Sequence, residues 1–259
     1  MQPRRYDLRV TQLPGTPRYP YVAREGWPIV AWFVIVSIVL CAPTAYFLHW
    51  WSLPLVVACV LLCGWCVWFF RDPERQPPEG ADAIICPADG VIVGIGPAEP
   101  PRELDLNDEA TRGMTRVSVF MNVFDVHVNR APITGTISGV NYRPGKFFNA
   151  SLDKASEHNE RFSIVLDLPD RRKLVCVQIA GLIARRIVRK VAVGQRLFAG
   201  HRYGMIRFGS RVDVYLPAGC RVDVQMGQRV LAGATRLGTI GPATQASETA
   251  AHAAAESAT

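Results

Sequence analysis

"YGMIRFGSRVDVYLP", Tyr203 to Pro217, carries apolar side chains at alternating positions: Ile206, Phe208, Val212, Val214 and Leu216. Such alternation marks a β-strand with one face against a core. Gly209-Ser210 breaks the run with the least strand-like pair available. A glycine inside a strand signals a bulge or a close backbone approach, and here it stands beside a small nucleophile. The stretch sets one question of fold and one of chemistry.

Upstream of it the same texture recurs. "GVIVGIG", "TRVSVFMNVFDVHV", "GTISGVNY", "RFSIVLDL" and "KLVCVQIAGLIARRIV" are rich in β-branched and aromatic residues, with Gly, Pro or Asp breaks between them. An echo runs through the last third: "VGQRLFAGHRYG" (193–204) returns as "MGQRVLAGATRLG" (226–238). Residues 84–243 therefore read as a mainly β domain, a sandwich or barrel built from related hairpin units with glycines at the turns. "TQASETAAHAAAESAT" lacks a hydrophobic face, so 244–259 is expected to be disordered.

The N-terminal part is of another kind. Residues 29–48 and 53–70 hold no charge, and each approaches the ~20 apolar residues that cross a bilayer. Pro43 is expected to kink or end the first of them. Residues 28–70 read as a two-helix transmembrane hairpin, between a basic leader (1–27) and a proline-rich linker (71–83). Arg4, Arg5, Arg9, Arg18 and Arg24 precede the spans and Arg71 and Arg75 follow, while the loop between them has no Lys or Arg. The positive-inside rule puts both flanks, and the β domain, on the cytoplasmic side of the cell membrane. The net charge of +7 suits an anionic lipid surface, to which Arg185-Arg186 and Arg189-Lys190 could contribute. No nucleic-acid motif accompanies it. The spans hold no Asp, Glu, Lys, Arg or His, so they read as an anchor only. A chain beginning near Arg71 is expected to keep its chemistry.

A nucleophile needs a base, and the base often an orienting carboxylate. In "NVFDVHVNRAP", Asp125, His127 and Asn129 alternate with valines and so share a face if the segment is a strand. Asp89 stands in the Pro-x-Asp-Gly turn of "CPADGVIVGIG". Each has a plain structural explanation when taken singly: a surface histidine, a turn aspartate, a bulge at Gly209-Ser210. The scattered Cys86, Cys176 and Cys220 do not make a metal site.

Taken together, these blocks resemble the phosphatidylserine decarboxylases, particularly their short membrane-anchored form. The resemblance runs from about Pro87 to Pro217 through "PADGVIVGI", "FDVHVNRAP", "YRPGKFFNASLDKASEHNER", "VQIAGLIARRIV" and "VGQRLFAGHRYGMIRFGSRVDVYLP". It implies a proenzyme that cuts itself between Gly209 and Ser210 into two chains that stay together. Ser210 then becomes a covalent pyruvoyl group, the only cofactor, with no metal and no pyridoxal phosphate. The group serves as an electron sink for decarboxylating phosphatidylserine to phosphatidylethanolamine. It also implies an Asp-His-Ser set, carried here by Asp89, His127 and Ser210, with Asp125 as the reserve carboxylate. Longer members have two histidines three residues apart; His127 matches the first, and Arg130 stands at the second. Either His127, with a near-neutral pKa, serves both as base for Ser210 and as proton donor in decarboxylation, or one of the two roles lies elsewhere; as base for Ser210 it is the histidine in the matching block. Arg143, Lys146, Phe147 and Phe148 are the expected grip on the lipid substrate. Homo-oligomerisation stays open. Two rivals use the same residues differently: a serine hydrolase built on Ser210 and His127, and a membrane-tethered lipoyl-like adaptor suggested by the glycine echo. The first lacks G-x-S-x-G, and the second lacks a lysine in the repeat.

Overall fold

The computed structural model describes residues 21–106, 108–148, 150, 158–181, 187–207 and 209–241. The tail at 244–259, Arg185-Arg186 and most of the leader fall outside them.

Arg24–Phe69 forms an apolar helical region long enough to cross a membrane, and 6% of its most apolar window is buried. It contains α1 (Trp27–Leu48) and α2 (Leu53–Phe69), which meet at Ser37 and Cys63. Pro28 and Pro54 sit in the first turns, where a missing N–H costs nothing. A 3-10 turn at His49–Ser52, entered through His49 at φ 49°, separates the two helices. Pro43 does not end α1, which continues to Leu48.

The rest is mainly β. In the first half lie β1 (Ala83–Ile85), β2 (Gly90–Pro97), β3 (Thr115–Met121), β4 (Val128–Arg130), β5 (Gly135–Arg143), β6 (Arg161–Asp167) and β7 (Lys173–Ile179). Then follow β8 (Ile187–Arg189), β9 (Arg196–Leu197), β10 (Arg202–Ile206), β11 (Ser210–Leu216), β12 (Cys220–Val222), β13 (Arg229–Val230) and β14 (Arg236–Ile240). Eight of them form one curled antiparallel sheet in the order β13-β2-β3-β11-β7-β6-β5-β9. Two three-stranded sheets, β1-β14-β12 and β4-β10-β8, complete the fold. Ile92, Val119, Ile164, Cys176, Val212 and Leu237 belong to the core they enclose.

Read outward from its centre, the large sheet has a mirrored order. β11 corresponds to β7, β3 to β6, β2 to β5 and β13 to β9; the small sheets match strand for strand. β2 and β5 each shift register after an isoleucine, Ile92 and Ile137. The carbonyls of these residues accept the N–H of Gly227 (2.9 Å) and Gly194 (2.8 Å). Gly233 and Gly200 donate likewise to Cys86 (2.8 Å) and Ala131 (2.9 Å). All four glycines have φ between 73° and 86°, the left-handed region where glycine has no Cβ penalty. The glycine echo is thus the visible part of a seven-strand duplication, with β4–β10 nested inside the other copy.

Two expected strands divide. "TRVSVFMNVFDVHV" leaves the large sheet at Met121, turns, and enters a small sheet at Val128. Asn122 Oδ1 accepts Phe124 N–H (2.8 Å) and Asp125 Oδ2 accepts Asn122 N–H (2.9 Å). Such side-chain bonds stabilise turns over strands. Asp125 and His127 therefore lie before β4 and do not share a strand face with Asn129. "MIRFGSRVDVYLP" divides into β10 and β11, in different sheets.

Candidate active site

The fault in the opening stretch is a crossing between sheets. β10 is paired with β4 and β8, and β11 with β3 and β7. Gly209 precedes β11 at φ 58°, and no atom crowds its missing Cβ. Backbone conformation, not space, favours glycine here. Its carbonyl oxygen lies against Gly181, where any Cβ would collide with it. Ser210 then opens β11 opposite Met121, on the face shared by Val212, Val214 and Leu216 of the main core. It is 0% exposed, and its Oγ has no hydrogen-bond partner among the described residues. A buried hydroxyl left unpaired is costly, so it needs an explanation.

His127 is also fully buried, and its Nε2 is likewise unpartnered among the described residues. Nδ1 lies 2.9 Å from the Asp125 carbonyl oxygen. A carbonyl only accepts, so Nδ1 carries the hydrogen and Nε2 keeps the lone pair. Burial is the main force on its pKa, pushing it down to about 4. The expected near-neutral value does not hold in the uncut chain, because the ring is sealed from water. A neutral imidazole with a free Nε2 is equipped to take a proton and poorly equipped to give one at pH 7.

Asp89 is buried and gripped at both oxygens by Arg75, at 2.6 and 2.8 Å, while its Oδ1 also accepts Ala232 N–H at 2.8 Å. In the other copy Thr134 holds the matching place and accepts Ala199 N–H at 3.1 Å. The shared task is to cap a turn; the negative charge belongs to one copy only. Orientation of His127, expected from Asp89, comes instead from the Asp125 backbone. Asp89 still acts on the ring through its charge, which favours the imidazolium. The Asp125 carboxylate turns away to Arg229 and Asn122, and burial raises its pKa. Arg130 is committed to Asp72 (3.0 Å) and the Pro73 carbonyl (2.5 Å).

Two further polar groups surround the crossing. Gln178, 0% exposed on β7, donates to Asn129 Oδ1 at 2.7 Å, and Asn129 reaches Met121 Sδ at 3.7 Å. These contacts link the His127 side to the residue paired with Ser210. An isolated Gln inside "KLVCVQIAG" was the available signal for it. Asn159 donates to the carbonyls of Ala180 (2.7 Å) and Phe148 (2.8 Å), and accepts Phe148 N–H (2.9 Å). Through Ala180-Gly181 it ties the expected substrate segment to the floor under Gly209. Within that segment Phe147 packs on the core and Phe148 is exposed. Lys146 Nζ lies 6.0 Å above the Phe148 ring, and Arg143 lies 3.6 Å from Glu103 with an open side chain.

Residues 62–238 match the family model for phosphatidylserine decarboxylase. A protein of Paramagnetospirillum magneticum named phosphatidylserine decarboxylase proenzyme is 50% identical over 216 residues, covering 83% of this chain and 85% of that protein. The family model takes in the sheet crossing, the His127 turn and the two glycine repeats, and with this match and the 50% identical relative the chain belongs to the phosphatidylserine decarboxylase family.

Proposed function

We propose that the chain is a self-processing proenzyme that decarboxylates phosphatidylserine to phosphatidylethanolamine at a cytoplasmic membrane surface. The observation that carries this reading is Ser210: a buried hydroxyl without a partner, directly after a left-handed glycine at a sheet crossing. His127 Nε2 takes the Ser210 proton as Oγ adds to the Gly209 carbonyl. The amide is exchanged for an ester as the C–N bond breaks and nitrogen takes up a proton. Loss of the Ser210 α-proton with elimination of the Gly209 carboxylate cuts the chain. Tautomerisation and hydrolysis then release ammonia and leave a pyruvoyl group at the head of residues 210–259. Glycine at 181 leaves room for the Gly209 carbonyl oxygen, and Asp89 offsets the charge gained by His127.

The residues present fit such a group, since Ser210 is fully buried with its Oγ unpartnered among the described residues, and a pyruvoyl unit keeps the same three carbons. Once formed, a pyruvoyl ketone supplies the electron sink for decarboxylation. Around it Gln178 Oε1, buried and without a partner among the described residues, would bind a polar group. The Phe147-Phe148 segment, with Lys146 and Arg143, is placed to hold the lipid. The spans within 28–70 supply the anchor, 71–83 the connector and 84–243 the catalytic domain. A serine hydrolase would need its nucleophile open to substrate in the uncut chain, and Ser210 is sealed. The test is turnover: vesicles of carboxyl-labelled phosphatidylserine should lose label as CO₂ with the wild-type protein and keep it with Ser210→Ala. Equal release by both would exclude the proposal.

A further inference from the structure

Phe69 closes α2 and is fully buried, although most of that helix is bare. Its ring lies 4.2 Å from the imidazole of His127, the planes at 35°. Phe70, Cys66, Val126, Val128 and Met205 continue the same buried cluster. The chain around it is fixed in place. Ala23 N–H donates to Phe70 O at 2.8 Å, Asp72 N–H to Tyr21 O at 2.6 Å. Arg71 donates to Phe124 O at 2.7 Å, in the turn that leads to His127. The end of the anchor is therefore one wall of the His127 pocket.

We propose that Phe69 is a positioning residue for His127, so that the exit of the membrane anchor is part of the maturation site. The inference rests on the reading of His127 as the base for Ser210. With the Asp125 carbonyl fixing Nδ1, Phe69 fixes the plane of the ring and excludes water from it. Exclusion of water keeps Nε2 unprotonated, and so ready to accept the serine proton, far below neutral pH. Arg71, from the anchor exit, pushes the same way, whereas Asp89 opposes it. Charge pairs around the junction are Arg75 with Asp89, Arg229 with Asp125, Asp72 with Arg130 and Arg202, and Glu25 with Lys190 beside Arg207. This revises the expectation that the helices only tether the domain.

The test uses the full chain synthesised cell-free into phospholipid nanodiscs, with cleavage followed by intact mass from pH 4 to 8. Wild type should lose less than about twofold in rate between pH 8 and pH 5, its half-point lying at about 4. Phe69→Ala admits water, so its half-point should climb toward the ordinary imidazole value and its rate at pH 5 should be roughly thirtyfold below its own plateau. Phe69→Leu keeps the cover and should restore the wild-type profile. An Ala chain with the wild-type acid limb would overturn the proposal. Should the Ala chain stay whole at every pH, Phe69→Leu decides: restored cleavage supports the proposal, and a second whole chain overturns it. His127→Gln separates the two ideas. If it stalls while Phe69→Ala behaves as wild type, only the role of Phe69 fails; if it cuts normally, His127 is not the base and both fail.

Discussion

The two small sheets share a backbone and differ in what covers them. In β4-β10-β8 one registered row is Val128, Met205 and Val188; in β1-β14-β12 the matching row is Ala83, Thr239 and Arg221. The first row lies in the cluster that takes Val30, Phe69 and Phe70 from the N-terminal helical region. In the second row the Arg221 side chain is 74% exposed. The residue before each sheet follows suit. His127 O accepts Ile206 N–H (3.3 Å) and Asp82 O accepts Ile240 N–H (2.9 Å), so the two backbones match. Yet His127 is fully buried and Asp82 is exposed. An apolar row draws the N-terminal helices onto one copy, at roughly 1.5–3 kcal/mol for each large side chain buried. The same contact turns a solvated position into a sealed one. The two copies share the frame, and the proposed site sits where they differ.

The largest expected effect breaks that difference at its centre. His127→Ala should slow cleavage by about 10²–10⁴-fold, the usual loss for a missing general base, and uncut chain should accumulate on denaturing gels. Cleavage at the normal rate would remove His127 from the reaction. Next is Asp89→Thr, which copies the other half: an acceptor for Ala232 N–H remains, but the charge is gone. With the charge gone the imidazolium is less favoured, so cleavage should slow, by less than in His127→Ala, whereas Thr134→Asp should mature normally. If both mature alike, the charge of Asp89 does nothing. Removing the anchor is gentler. A chain beginning near Arg71 lacks Phe69, so its cleavage should fall about fourfold at pH 6 relative to pH 8, while the full chain holds steady. The smallest effect is Thr239→Met, which makes one row resemble the other without an anchor to receive it. Stability should stay within about 0.5 kcal/mol of wild type by denaturant unfolding, and a larger change would mean the rows are not equivalent.

Much of this was legible in the chain, and what was not has physical reasons. Alternation identified the strands, and the echo at 193–204 and 226–238 pointed to the duplication. Alternation could not find the sheet crossing, because Ile206 and Val212 face the same core from different sheets. The run of apolar positions therefore reads straight through the break, and only Gly209 marks it. The His127 turn was hidden for a similar reason, with valines continuing the pattern across Asx-type bonds that spacing does not encode. The Arg75–Asp89 pair and the Phe69–His127 contact join distant segments. Periodicity assigns a residue to a face but does not say which element covers that face.

The central claim is that the bond at the sheet crossing is made to be broken. Intact mass of the purified protein under denaturing conditions tests it most directly. The account requires two chains, residues 1–209 and residues 210–259, the second lighter than its serine form by the loss of ammonia and blocked at its N-terminus. A single whole chain that still decarboxylates phosphatidylserine would contradict it.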